Sequence, residues 1–272
     1  MSAVAEGVVP SASKPGAAVM LYTVDALLDD DFEGTLQRIA DLGYLGVETY
    51  GLHGHSAAAV RGMLDRTGLE LVSSHAPFPY GQDARRILDE YARLGAPNLA
   101  WSMEAEEFTS VESIARGLER VNGGVDEAAS YGMTVAYHNH NAEFRYSFDG
   151  RGAYDILLER LHPDARVELD LYWAAVGEAD PAAIVASIGP RLRYVHVKDG
   201  PALTYGDDIL VPIGEGSVDI RAALRVPSTL EWHIIELETL AVDVFEALEK
   251  SYRYLVDGGL SQGRTHTEGD AP

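Results

Sequence analysis

The sequence predicts an α/β protein built as a single (β/α)8 barrel. Two observations carry that prediction. Short apolar runs alternate with helical patterns eight times across residues 19–257, and run after run ends in imidazole or carboxylate side chains. A doubly wound open sheet is the rival, but it has fewer strands and gathers ligands at one switch point. Here the polar endings are spread over many strands, and a barrel sets all its strand C-termini around one opening.

The elements follow in order. Residues 1–18, small and polar with Pro10 and Pro15, read as a flexible extension. A first strand is expected at 19–24. Asp29, Asp30 and Asp31 then suit a helix start, Phe32, Leu36, Ile39, Ala40 and Leu42 fall on one helical face, and Gly43 suits its end. Strand two, 45–50, carries Glu48, and a helix over 56–66 stops at Gly68. Strand three, 69–74, runs into a loop with His75, Pro77 and Pro79. A helix at 83–94 closes at Gly95, and strand four is 98–101. The longest helical stretch, 111–131, contains Gly123 and Gly124, which argue against its continuity. Gly132 ends it before strand five. A helix at 154–161 leads to strand six, and Pro181 opens one reaching Ile188. Strand seven precedes an irregular stretch, 200–216, and a short helix at 218–224. Strand eight, a helix at 242–256 and a polar tail at 258–272 complete the chain. No linker divides the barrel domain, 19–257, and no internal repeat appears beyond the unit itself.

Composition narrows the function. The 272 residues include 21 Lys and Arg against 43 Asp and Glu, a formal charge of -22. Such a surface repels phosphate backbones, so nucleic acid is not an expected partner and an abasic-site endonuclease is disfavoured. There is no cysteine, which removes disulfides, thiolate nucleophiles and Cys-ligated metal centres. No run approaches the roughly 20 apolar residues of a membrane span, and the first 20 residues make a poor signal peptide. A cytoplasmic protein with no membrane partner is the simplest expectation. P-loop, dinucleotide-binding, Gly-x-Ser-x-Gly and His-Glu-x-x-His patterns are absent, and Gly214 and Gly216 are too close together to mean phosphate binding.

The chemistry lies at the strand ends. Residues two apart share a strand face, which pairs His138 with His140, Glu168 with Asp170, His196 with Lys198, and Glu236 with Glu238. Clustered carboxylates and neutral imidazoles without thiolate suit Mn, Co, Fe, Ni, Zn or Mg. Asp170, Glu236 and His196 are the leading ligand candidates, with Glu143 or His138 as the fourth. A divalent cation there would polarise a carbonyl, and a nearby carboxylate or imidazole would take the α-proton. Lys198, if inward, meets oxyanion charge; if outward, it pairs with Asp199 in solvent. Glu48 is flanked by apolar residues and faces the barrel or away from it. His75, Trp101, Trp173 and His53 are the substrate-binding candidates, the tryptophans as apolar faces for a sugar ring.

These residues together resemble the xylose isomerase-like barrel superfamily, in its sugar phosphate isomerase/epimerase branch, near the keto-inositol dehydratases and 3-keto-glycoside lyases. The resemblance covers about residues 20–256. It rests on Leu21 to Val24, Leu42 to Glu48, Ser74 and His75, Tyr137 to Phe144, Asp170 to Trp173, His196 to Asp199 and Ile235 to Glu238. It implies one divalent cation, manganese first, held by Asp170, His196 and Glu236. Many relatives carry a glutamate ligand where this chain has His138. The resemblance favours Glu143 for that role and leaves His138 and His140 for proton transfer, with Glu48 and Lys198 as further catalytic groups. The implied reaction is isomerisation or epimerisation of a keto-sugar or keto-cyclitol through an enediolate. The alternative is β-elimination from a 3-keto-glycoside or keto-inositol. A homodimer or homotetramer fits the superfamily, and the sequence does not choose between them.

Overall fold

A computed structural model describes residues 14–202, 209–226 and 228–264. The outer parts of the expected extension and tail, 1–13 and 265–272, and residues 203–208 of the irregular stretch lie outside the described residues. Eight strands form a closed parallel barrel. They are β1 (Gly16–Met20), β2 (Gly46–Tyr50), β3 (Glu70–His75), β4 (Asn98–Trp101), β5 (Thr134–His138), β6 (Arg166–Asp170), β7 (Leu192–Val197) and β8 (Trp232–Ile235). Each strand pairs with its sequence neighbours, and β1 closes the ring on β8 with Gly16 opposite Trp232. A helix returns the chain after every strand, the longest being Val111–Ala129 after β4. Polar caps set the helix starts: Asp31, Ser56 and Ser110 each accept a hydrogen bond from the backbone N–H three residues on.

Two elements differ from the sequence expectation. The first strand starts at Gly16 and ends at Met20, and residues Leu21–Val24 wind into a 3-10 turn. Periodicity cannot separate a buried turn from a continuing strand in so short an apolar run. Gly16 is tied in by its own N–H to the Glu231 carbonyl at 2.9 Å, and Ala17 by its N–H to the Gln262 carbonyl at 2.8 Å. The segment around Gln262 is therefore packed on the barrel, with Leu260 and Ser261 buried. The helix over Val111–Ala129 is continuous through Gly123 and Gly124. Its glycines make room for neighbours: a Cβ on Gly124 would lie 2.5 Å from Phe78, itself stacked on Trp101 with ring centres 3.6 Å apart.

Inside the ring, Ala18, Met20, Val72, Ala136, Tyr194 and Ile234 pack with Trp232 into one apolar plug. The alternate residues, among them Val19, Val47, Leu99, Val135, Val167, Val195 and Ile235, face the helices in the larger outer core. Following the inward register upward replaces apolar side chains by ionisable ones. Ala136 gives way to His138, Tyr194 to His196, and Ile234 to Glu236. The plug is the floor of what lies above it.

The floor is tight at Gly46, where a Cβ would come within 2.7 Å of Val72 Cγ2 and 2.8 Å of the Glu70 carbonyl oxygen. A backbone carbonyl in a closed barrel cannot step aside, so overpacking strains the ring. Gly46→Val is expected to cost about 1–3 kcal/mol. Urea denaturation checks this, and an unchanged midpoint would show the floor to be looser than described.

Candidate active site at the barrel mouth

Six ionisable residues from β2, β6, β7 and β8 and their ends form a buried layer above the plug: Glu48, Glu168, Asp170, His196, Lys198 and Glu236. His196 is its centre. Its Nδ1 lies 2.6 Å from Glu236 Oε2, while its Nε2 lies 2.6 Å from Glu48 Oε2 and 3.2 Å from Glu168 Oε1. Burial works against its charge, but Glu168, Glu48 and Glu236 hold its pKa well above the usual imidazole range. His75 Nε2 and His138 Nδ1 also approach Glu168 Oε1, each at 3.2 Å. Burial acts to raise Glu168, yet the surrounding imidazoles pull it well below the usual carboxylate range. Burial and the facing Glu168 push Glu48 up.

Lys198 lies just past β7, with its ammonium 3.2 Å from Asp170 Oδ2, 3.0 Å from Glu236 Oε2 and 2.5 Å from Glu238 Oε1. Burial disfavours its charge, but these three carboxylates more than offset that and move its pKa upward. Asp199, the next residue, turns the other way. Its two oxygens accept from the N–H groups of Gly200, Gly214, Gly216 and Val218. The Gly214 and Gly216 turn thus binds a carboxylate of the chain itself, and Lys198 is left to face inward.

Local devices aim the remaining groups. The Asn139 side chain bonds both backbone groups of Asp170, accepting from its N–H at 2.9 Å and donating to its carbonyl at 3.2 Å. This staples the end of β5 to the end of β6. Asp170 Oδ1 accepts from the Trp173 N–H at 2.8 Å, capping the short helix Leu171–Val176 and leaving Oδ2 toward Lys198. Burial raises Asp170 to about 6, partly countered by Lys198.

A cavity of about 400 Å³ opens over this layer, lined by His75, His138, His140, Trp173, Lys198, Glu236 and Glu238 together with Met20, Tyr22, Tyr50 and Ser102. Burial, with the Lys198 charge, lowers His140 to about 4, and burial lowers His138 well below its ordinary value. Both rings are therefore neutral bases at the cavity wall.

The structure brings together His75, His138, His140, Trp173, Asp170, His196, Lys198 and Glu236. It does not bring in all the expected residues. His53 turns onto Asp29 at 2.8 Å and Asp25 at 3.4 Å, outside the cavity. Trp101 stacks on Phe78 and lines an adjoining hollow with Ala100 and Pro77, which shares Tyr50, His75 and Ser102 with the cavity. Glu48 joins the buried layer beside His196 but does not line the cavity. Glu143 sits in the short helix Ala142–Arg145, where its Oε1 accepts from the Tyr137 hydroxyl at 2.9 Å and the His140 N–H at 3.1 Å. Burial raises it to about 8. Glu168 and Glu238, absent from the expected site set, belong to the cluster, and the two-residue spacing from Asp170 and Glu236 was the signal for both.

The donor atoms of Asp170, His196 and Glu236 all lie within 4.8 Å of one another, as do those of His75, His138, Glu168 and His196. A mixed set of carboxylate and imidazole donors fits a divalent cation of the Mn, Co or Zn type. Glu143 stands outside both groups as its side chain is turned here, though its Oε2 is buried without a hydrogen-bond partner among the described residues.

The family described as the xylose isomerase-like TIM barrel matches residues 36–250. The chain belongs to that family. An inosose dehydratase from Erwinia tasmaniensis is 22% identical, over 84% of this chain and 90% of its own length. Among solved structures, a sugar phosphate isomerase/epimerase from Parabacteroides distasonis superposes with a TM-score of 0.74 at 21% identity, covering 96% of this chain and all of its own. The IOLI protein with a bound zinc atom superposes with a TM-score of 0.68 at 14% identity, covering 89% of this chain and 97% of that one. Family members include isomerases, epimerases and dehydratases, so the shared barrel identifies an enzyme scaffold rather than one reaction.

Within this xylose isomerase-like barrel, the Lys198 ammonium pairs with both Asp170 and Glu236, and His196 pairs with Glu236 as well. Lys198→Met should therefore destabilise the metal-free protein by about 3–5 kcal/mol, the cost of leaving buried carboxylates unpaired. Denaturation in the presence of a chelator measures it, and a change below about 1 kcal/mol would show that water reaches those carboxylates freely.

Proposed function

We propose that the protein is a divalent-metal-dependent enzyme that enolises a keto-sugar or keto-cyclitol and returns it isomerised or epimerised. The observation that carries this reading is the convergence of Asp170, His196 and Glu236 beneath a cavity whose wall holds two neutral imidazoles and a fixed ammonium. Asp170, His196 and Glu236 would hold the cation, with Glu143 as the fourth ligand once its side chain turns from Tyr137. When bound, the cation supplies positive charge to a carbonyl oxygen and its neighbouring hydroxyl.

The chain's own groups then divide the work. His140, kept neutral by burial, accepts the proton next to the carbonyl, with the His138 ring 5.2 Å away, centre to centre, to receive or return it. Lys198 is too firmly held as an ammonium to serve as a base, and it donates a hydrogen bond to the developing oxyanion. Tyr22, Tyr50 and Trp173 flank the substrate and limit water. Glu48 does not reach substrate. It lies 2.6 Å from His196 Nε2, and by accepting from Nε2–H it would leave Nδ1, now 2.6 Å from Glu236 Oε2, to face the cation once one replaces the shared proton. In this reading Glu48 is a positioning residue rather than a catalytic one.

β-Elimination by the same enolate is the second reading. It is favoured by the position of His140 between the central cavity and a neighbouring one, where a protonated ring could pass its proton to a departing oxygen.

In deuterated water with Mn or Co, the proton next to the carbonyl of a 3-keto-glycoside, a keto-inositol or a free ketose should be lost from recovered substrate, as followed by NMR. Asp170→Asn and Glu236→Gln should each slow that exchange about a hundredfold or more with the fold intact. Unchanged exchange in either metal-replete variant rejects the assigned roles. Glu48→Gln is expected to weaken Mn or Co binding about 10–100-fold in calorimetry. Wild-type affinity in that variant would remove Glu48 from the site.

A further inference from the structure

His196 turns its two ring nitrogens toward two different groups of donors. Nδ1 faces Glu236 on the side of Asp170, and the cation proposed above needs only that side. On the other, His75 Nε2, His138 Nδ1 and His196 Nε2 each lie 3.2 Å from a single oxygen, Glu168 Oε1. A carboxylate oxygen has about two lone-pair positions, so it cannot serve three N–H donors. The mismatch shows in the surroundings: among the described residues, His138 Nδ1, Glu168 Oε2 and Glu48 Oε1 are all buried without a hydrogen-bond partner. Three such atoms in one dry cluster are costly, and a cation that takes lone pairs from nitrogen and oxygen alike removes the cost.

The distances say which cation. Ligands about 2.0–2.1 Å from a tetrahedral zinc stand about 3.3–3.4 Å from one another, close to the three separations of 3.2 Å found here. Three imidazoles and one carboxylate, with only the His75 side chain partly exposed, make a closed set of the kind that holds zinc. The Asp170 and Glu236 side is richer in oxygen and opens to the cavity, which suits manganese. We propose that His75, His138, Glu168 and His196 form a second cation site, for zinc, that cannot be filled together with the Asp170, His196 and Glu236 site. The shared ring is the reason. A neutral imidazole keeps its proton on one nitrogen and ligates through the other. With the proton on Nε2, bonded to Glu48 Oε2 at 2.6 Å, Nδ1 serves the manganese side; with it on Nδ1, bonded to Glu236 Oε2 at 2.6 Å, Nε2 serves zinc. Both acceptors are in place, so the ring need not move. Glu48, whose Oε2 is 3.7 Å from His75 Nε2, then stands beside the zinc and offsets its charge with Glu168. The exclusion rests on the reading that the catalytic cation uses His196, whereas the zinc site stands without it.

The test titrates metal-free protein with zinc and with manganese in a calorimeter and locates the zinc by X-ray absorption and anomalous diffraction. The zinc shell should contain three imidazoles, with the anomalous peak among His75, His138 and His196. Zinc-loaded protein should bind manganese at least about a hundredfold more weakly than metal-free protein, since losing a ligand costs more than losing an outer-shell bond. In His75→Ala the three-imidazole shell should be lost while manganese affinity stays. In Asp170→Asn zinc should keep its shell while manganese binding weakens by at least about tenfold. A peak among Asp170, His196 and Glu236 in the wild type, or a shell with a single imidazole, would overturn the zinc site. Zinc and manganese bound together on one chain would overturn the exclusion. If manganese does not bind the metal-free protein at all, the enolisation reading fails by itself, and the position of the zinc peak still decides the second site.

Discussion

Everything in this molecule depends on the inward register of a closed parallel barrel. Because side chains alternate, each strand sends every second residue to the axis, and the eight strands do so at shared levels. The lower level is apolar, the Ala18, Val72, Ala136, Tyr194 and Ile234 plug. The next level, two residues on, holds Glu48, Glu168, His196 and Glu236, all buried. One slip in register would send these charges into the helix layer, where there is nothing to balance them.

Burying so many carboxylates together demands positive charge or shared protons. The chain provides Lys198, His196 and the rings around Glu168, and the result is a network in which each group sets the state of the next. Glu168 is driven toward ionisation by imidazoles, while Glu48 across the same histidine is driven away from it. Asp170 and Glu236 share the Lys198 ammonium. A layer of this kind contributes little to stability for its size, since desolvation offsets most of the attraction. Its value is in holding oxygen and nitrogen donors fixed, close together and dry beneath an open cavity, the arrangement that makes electrostatic stabilisation of a developing charge effective.

The strand ends would not hold that arrangement without secondary bonds. Asn139 clamps Asp170 by its backbone, and Asp199 gathers the loop that follows β7. The turn after β5 takes Glu143 toward Tyr137 and so opens one wall of the neighbouring cavity. Loops thus adjust the chemistry, while the barrel supplies only the fixed directions.

The sequence by itself determined the eight strand–helix units, since they follow from local periodicity and capping, and the spread of polar strand ends pointed to their closure into a barrel. Parity was enough to pair His138 with His140, Glu168 with Asp170, His196 with Lys198 and Glu236 with Glu238, but it left the direction of Lys198 past the strand end open. It was not enough for Glu143, in the short helix after β5, or for His53, in a turn, because strand alternation fixes direction in neither; contacts with Tyr137 and with Asp25 and Asp29 decide them. Nor could it separate Glu48 beneath the cavity from His75 at its wall, because depth along the axis depends on strand stagger and on the bulge between Val47 and Glu48. Direction was written locally, whereas depth and the partner on the far side of the axis came only from closing the ring.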